Sequence, residues 1–131
     1  MAELRNVARG EGIMALEPDI VTPDSTIHGS CCLETKTKQG ESSVLVEGLP
    51  IAYEMAKIRK HKYKVGKDCK FHTPWIEAKC NTVEVGAGGV LQPIAREGDP
   101  VLEAEISGGT FVVKNCGFVS KVHQTSVSVG V

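Results

Sequence analysis

Valine-rich stretches with period-two alternation recur along this chain, and most lead through a tight turn into a small apolar box. Ser43-Val44-Leu45-Val46-Glu47 runs into Gly48-Leu49-Pro50-Ile51-Ala52. Thr82-Val83-Glu84-Val85 passes the turn Gly86-Ala87-Gly88-Gly89 and reaches Pro93-Ile94-Ala95-Arg96-Glu97-Gly98-Asp99. Thr110-Phe111-Val112-Val113-Lys114 continues to Val119 as a third, more altered copy, and Asn6-Val7-Ala8-Arg9-Gly10-Glu11-Gly12 supplies a half unit that matches Ile94 to Gly98. β-Branched residues at alternate positions fit half-buried strands, and Gly and Pro between them fit turns. A unit this short cannot bury its own apolar face, so the copies are expected to pack into one body.

The rest of the composition agrees with an all-β chain. With 131 residues there is room for one domain, expected to span 1–131. Aromatic residues are only 5%, so Val, Ile, Leu and Ala must build the core. Thr125-Ser126-Val127-Ser128-Val129 alternates strictly and predicts a last strand. The best helical pattern is Ile51 to Arg59, where Ala52, Met55 and Ala56 could share a face; it is short and has no capping box. A net charge of -1 removes the global electrostatic case for binding nucleic acid or an anionic membrane. No apolar run approaches the roughly 20 residues that span a bilayer. Residues 1–10 are charged and lack an apolar segment, so a signal peptide is not expected and the chain is expected to be made in the reducing cytoplasm. Five Cys, an odd number, fit burial or metal ligation better than a closed set of disulfides.

Two long stretches, Ile13 to Gly40 and Met55 to Cys80, show no repeat and hold the candidate metal ligands: His28, Cys31, Cys32, His61, Cys69, His72 and Cys80. Long loops in a small domain carry function or need an added constraint. Cys69-Lys70-Phe71-His72 is a Cys-x-x-His pair, a spacing that lets both side chains reach one ion, and zinc favours four tetrahedral N and S ligands. Three imidazoles and one thiolate can be drawn from His28, His61, Cys69 and His72, and one ion would then tie the two stretches together. Cys31-Cys32 is a rival source of the thiolate, and burial as a small apolar side chain is the plain alternative for any of these cysteines. Four protein ligands favour a closed structural site over a catalytic one. No His-Glu-x-x-His or His-x-Glu pattern is present, and Glu77 is merely the nearest carboxylate downstream. No catalytic residue is assigned, and no enzyme activity is expected.

The run from Lys57 to Lys70 is basic and includes Tyr63, so a small zinc-binding β module that reads nucleic acid through residues 57–70 is the competing reading. Lys60, Lys62 and Lys64 alternate, as on the solvated face of a strand, and this favours the plainer explanation. Gly86-Ala87-Gly88-Gly89 completes no phosphate-binding motif and reads as a turn, and Trp75 reads as a buried loop anchor.

The boxes Pro50-Ile51-Ala52 and Pro93-Ile94-Ala95-Arg96-Glu97-Gly98-Asp99, with the preceding strands and with Asn6-Val7-Ala8-Arg9, resemble the proline-alanine-alanine-arginine (PAAR) repeat, and Thr26-Ile27-His28-Gly29-Ser30-Cys31 resembles that family's first His loop. The resemblance covers Asn6 to about Val119. It departs from the pattern at Tyr53, which stands where the box has Arg, and in the longer turn from Gly86 to Leu91. It implies a compact, conical, three-sided β body whose apex loops hold zinc, or iron in its place, through His28, His61, Cys69 and His72. It implies one copy per spike, seated by its β base on the trimeric β-helical spike of a contractile injection machine (a phage tail or a type VI secretion system). Such a tip helps to pierce the target cell envelope, binds no nucleic acid, and is assembled at the end of the spike and delivered outward. No stretch outside the repeats is long enough to be expected to form a fused toxin.

Overall fold

The computed structural model describes residues 4–12, 16–23, 35–65, 68–72, 74–107 and 109–130. Among them every element is a strand. In chain order these are β1 (Arg5–Asn6), β2 (Ile20–Pro23), β3 (Thr35–Lys36), β4 (Glu41–Val46), β5 (Leu49–Ile51), β6 (His61–Val65), β7 (Asp68–His72), β8 (Trp75–Ile76), β9 (Glu84–Ala87), β10 (Val90–Pro93), β11 (Pro100–Ser107), β12 (Thr110–Lys121) and β13 (Ser128–Val129).

Three short boxes meet at the centre: Val7-Ala8-Arg9, Ile51-Ala52-Tyr53 and Ile94-Ala95-Arg96. Ala8 N–H donates to Ala95 C=O, Ala95 N–H to Ala52 C=O, and Ala52 N–H to Ala8 C=O, each at 2.9 Å. A second cycle runs the other way, two residues to either side. Gly10 N–H donates to Pro50 C=O at 2.8 Å, Glu54 N–H to Pro93 C=O at 2.9 Å, and Glu97 N–H to Asn6 C=O at 2.8 Å. Antiparallel bridges Arg9–Ile51, Tyr53–Ile94 and Val7–Arg96 complete the same pattern. The three alanines are fully buried. Backbones this close leave room for a methyl group and little more, so Ala recurs at the middle of each box for a steric reason.

From each box the chain runs outward and returns as an antiparallel pair. The first pair is β2 and β3, the second is the segment 56–59 and β8, and the third is β11 and β12. Hydrogen-bonded neighbours in the order β3-β2-β12-β11-β8 form one sheet. Bridges Lys57–Trp75 and Thr37–Ile58 place segment 56–59 between β8 and residues 35–39, which closes the sheet into a ring of strand pairings. The inside of the ring holds Val21, Ile58, Ile76, Val101, Cys116, Val119 and Val122 packed with the three alanines.

On the other side of the boxes lie three ribbons, each feeding one box. They are β4 with β5, β9 with β10, and β13 with β1. Val7, Val46, Ile51, Cys80, Val85 and Ile94 form a second apolar cluster there. Two ribbons are hairpins with turns at Glu47-Gly48 and Gly88-Gly89. Glu47 and all three glycines have positive φ, and the glycines adopt it without a steric penalty. The third ribbon joins opposite ends of the sequence. Its partner strand is secured by Gln124, whose amide donates to Val7 C=O at 3.0 Å, and by Glu47, whose carboxylate accepts from Thr125 N–H, Ser126 N–H and the Ser126 hydroxyl.

The all-β class expected from the sequence is present. The helix expected over Ile51 to Arg59 is not formed. Ile51 lies in β5, Tyr53, Lys57 and Ile58 make β bridges, and Met55 takes φ 65°, which no α-helix accommodates. Its apolar spacing serves the strand ring instead, with Ala52, Ala56 and Ile58 fully buried. The repeat alignment also changes: Thr110 to Val119 belongs to the returning strand β12, and the third box is Val7-Ala8-Arg9. The last strand is shorter than expected, Ser128–Val129 alone.

Two outcomes follow. Ala95→Leu inserts volume where three backbones converge and is expected to cost about 1–3 kcal/mol in urea unfolding. The Ser126 hydroxyl, then the neighbouring amides, hold the Glu47 carboxyl below its ordinary range. A depressed carboxylate contributes stability above the unfolded-state value and loses it as pH falls through the folded one. Glu47→Gln should therefore remove part of the acid sensitivity of β13 amide exchange, measured between pH 3 and 6 (about the carboxylate range).

Candidate functional site

The six strands of the ring alternate in direction, so β2, segment 56–59 and β11 all run away from the boxes. Their outward ends, and the three connections that follow them, therefore fall on one edge of the ring. The first connection, residues 24–34, lies outside the described residues, and with it His28, Cys31 and Cys32. The second is the ribbon β6–β7. The third is the far end of the hairpin β11–β12, whose strands pair from Pro100–Phe118 to Ser107–Thr110.

The β6–β7 ribbon carries three of the expected ligands. Its register pairs His61 with His72 and Lys64 with Cys69. Two expected imidazole positions thus oppose each other across one antiparallel pair, the closest approach that two strands offer. Cys69 stands three residues before His72 in β7; extended strands put residues two apart, rather than three, on one face. Beside the ribbon, Lys60 Nζ sits 5.0 Å from the centre of the exposed Phe71 ring, so one charge of the basic run already has an aromatic partner. Cys80 is elsewhere. It is buried among the ribbons, with its thiol 3.7 Å from Thr82 Oγ1 and 3.6 Å from Gly130 C=O. Among the described residues no group of three or more His, Cys, Asp or Glu side chains gathers in metal-binding fashion. Trp75 is half-buried in β8, paired with Leu102.

The sequence reading missed a pair of buried ion pairs at the boxes. Arg9 Nη2 stands 3.1 Å from Asp19 Oδ1, with both side chains almost fully buried. Asp19 also accepts from Arg9 N–H at 2.7 Å and from His123 N–H at 3.0 Å, so this one carboxylate joins the first box to β2 and to the segment after β12. Arg96 N–H donates to Asp99 Oδ2 at 2.8 Å, while its guanidinium gives Nη1 to Gly130 C=O at 2.8 Å and stays 3.6 Å from Asp99 Oδ1. That charge is poorly matched. Burial pushes the Asp99 carboxyl above its ordinary range, and the Arg96 amide and charge offset only part of the effect. The signal was in the sequence: Arg occupies the same place after Ala8 and after Ala95.

Comparison with protein-family models, with curated proteins and with solved structures returned no match.

Removing Asp19 leaves a buried guanidinium uncompensated. Asp19→Ala is expected to lose about 3–5 kcal/mol of stability by chemical denaturation, whereas Lys36→Ala, at an exposed ion pair with Glu17, should lose under about 1 kcal/mol.

Proposed function

We propose that this chain is the metal-stabilised tip of a trimeric β-helical spike in a contractile injection machine, whether phage tail or secretion system. One observation carries the reading: a single chain repeats the same backbone hydrogen bonds three times in cyclic order around Ala8, Ala52 and Ala95. A monomer that caps a trimer must offer three similar faces, and three boxes with three ribbons are a means to that end. The ribbons form the base of a conical, three-sided body, and the connections at the far edge form its apex. Exposed leucines accompany the ribbons. Leu4 precedes β1 at 66% exposure, and Leu91 lies in β10 at 68%. Apolar side chains on unpaired strand edges suit burial against the end of another β structure.

The metal belongs to the same proposal. A narrow point buries little apolar area, and small bodies without a core depend on staples. The cross-strand pairing of His61 with His72 fits an ion that takes imidazole ligands. His61 and His72, with His28 and one thiolate, Cys69 or its rival in Cys31-Cys32, would hold zinc, or iron in its place, as a closed site with no role in turnover. When bound, such an ion supplies apparent binding free energy of roughly 10 kcal/mol, coupled to folding of its loops. The protein would ride outward at the end of the spike and meet the target envelope first.

The test is stoichiometry. Native mass spectrometry of the chain mixed with a trimeric β-helical spike fragment should give one tip per three spike chains. Leu91→Asp should weaken that complex by about 2 kcal/mol. Equal binding of all variants, or no complex, refutes the assignment; affinity for nucleic acid that falls steeply with salt would instead support the basic-ribbon reading. Elemental analysis of untagged protein should find one zinc or iron per chain, lost in His61→Ala and in His72→Ala. Retention in Cys69→Ser, with loss in Cys31→Ser or Cys32→Ser, would move the thiolate to the first connection.

A further inference from the structure

The three flanks between successive boxes are alike in backbone but not in side chains. Four residues after the central alanine stand Gly12, Ala56 and Asp99; four before it stand Leu4, Gly48 and Leu91. The flank between the first and second boxes therefore has glycine at both places, Gly12 and Gly48. The other two flanks have Ala56 with Leu91, and Asp99 with Leu4. On this flank lies a groove of about 700 Å³, lined in part by Gly12, Gly40 and Gly48. A Cβ on Gly12 would come within 3.1 Å of Leu49 Cδ2, and one on Gly40 within 2.6 Å of Pro50 C=O. Glycine is thus part of how this flank is shaped.

The walls define a ligand. Leu45 and Pro50 are its apolar lining. Lys38 and Lys57 line it too, both exposed, and among the described residues neither is paired with a carboxylate. Among the described lining residues the single carboxylate, Glu11, is engaged by Arg59 Nε. Beside the groove, β4 departs from regular pairing. Glu41 pairs with Ile51 and Leu45 with Pro50, so Ser42, Ser43 and Val44 have no cross-strand partner in the ribbon. All three are exposed, and Ser43 N–H donates to the Glu41 carboxylate at 2.9 Å. The flank thus combines an open strand edge, an apolar wall and two uncompensated ammonium groups.

We propose that this groove binds one extended acidic segment of a partner protein. The segment adds to the open edge at Ser42 to Leu45, sets apolar side chains against Leu45 and Pro50, and sets carboxylates against Lys38 and Lys57. The glycine pair occurs on one flank, so the site is single. A tip that repeats three times would carry one such partner, and the groove would hold it whether or not the spike-tip reading stands.

The probe is an octapeptide of alternating Glu and Val, titrated into isotopically labelled protein. Amide shifts should be saturable and centred on Gly12, Gly40, Ser42, Leu45 and Gly48. Lys38→Glu with Lys57→Glu, both at exposed positions, should raise Kd at least tenfold while leaving the melting temperature unchanged. Gly12→Leu, if it folds, should abolish the shifts by displacing Leu49 and the groove residue Pro50, which its Cβ would crowd at 3.1 and 3.4 Å. No saturable shifts, or equal shifts with a Lys/Val octapeptide, would overturn the proposal. Shifts with decanoate and none with the Glu/Val peptide would also overturn it, and would make the groove a site for a small amphipathic acid.

Discussion

Everything in this molecule hangs on the convergence of three backbones at Ala8, Ala52 and Ala95. Buried amides and carbonyls must find partners, and here each box satisfies its neighbour in two opposed cycles of hydrogen bonds. Neither cycle can be completed by a local segment. The first box needs residues more than forty and more than eighty positions away, so the ring forms only when distant parts of the chain arrive together. The outward strand pairs and the inward ribbons are then positioned by where each box points.

The division of labour between the two sides is physical. Strands that leave the boxes close on one another, so their apolar faces bury into a shared interior and little edge is left open. The ribbons on the opposite side do not close in this way, and apolar residues there remain exposed. Charge is placed at the junction between the sides. From its place just before β2, the Asp19 carboxylate holds Arg9 of the first box and His123 in the segment after β12, which makes it a clasp between parts that share no turn. Arg96 and Asp99 occupy a comparable place in the third box with looser geometry. The second box, with Tyr53, packs its aromatic ring against both apolar clusters instead.

Much of this was legible in the residues. Alternating Val and Thr with Gly and Pro punctuation announced strands, and the recurrence of Ile-Ala and Val-Ala announced the repeat. Misreadings came where local pattern and long-range pairing disagree. Ala52, Met55 and Ala56 have helical spacing, but their neighbours are bound to strands far along the chain, and a left-handed turn at Met55 satisfies those bonds. Thr110 to Val119 looks like a strand and is one, yet its alternation could not say which tier it joins. The buried Asp19 had no local signature because its partner is set by the ring. Of the candidate ligands, the pairing of His61 with His72 could have been anticipated: eleven residues apart, with glycine at 66 near the midpoint, they are placed for a hairpin. His28, Cys31 and Cys32 lie outside the described residues.

The ribbon formed by β1 and β13 has a kinetic meaning. Two ribbons are hairpins and can form as soon as their own residues are free to move. The third cannot, because Asn6 must wait for Ser128. Closing so long a loop adds only modestly to the entropic cost, which grows with the logarithm of length, but it places this pairing late in the order of events. During that interval the edge of β1 and the apolar cluster beneath it are open to other strands. The molecule is therefore most vulnerable to misassociation just before it is complete, and the contacts of Gln124 and Glu47 that capture the last strand also end that exposure.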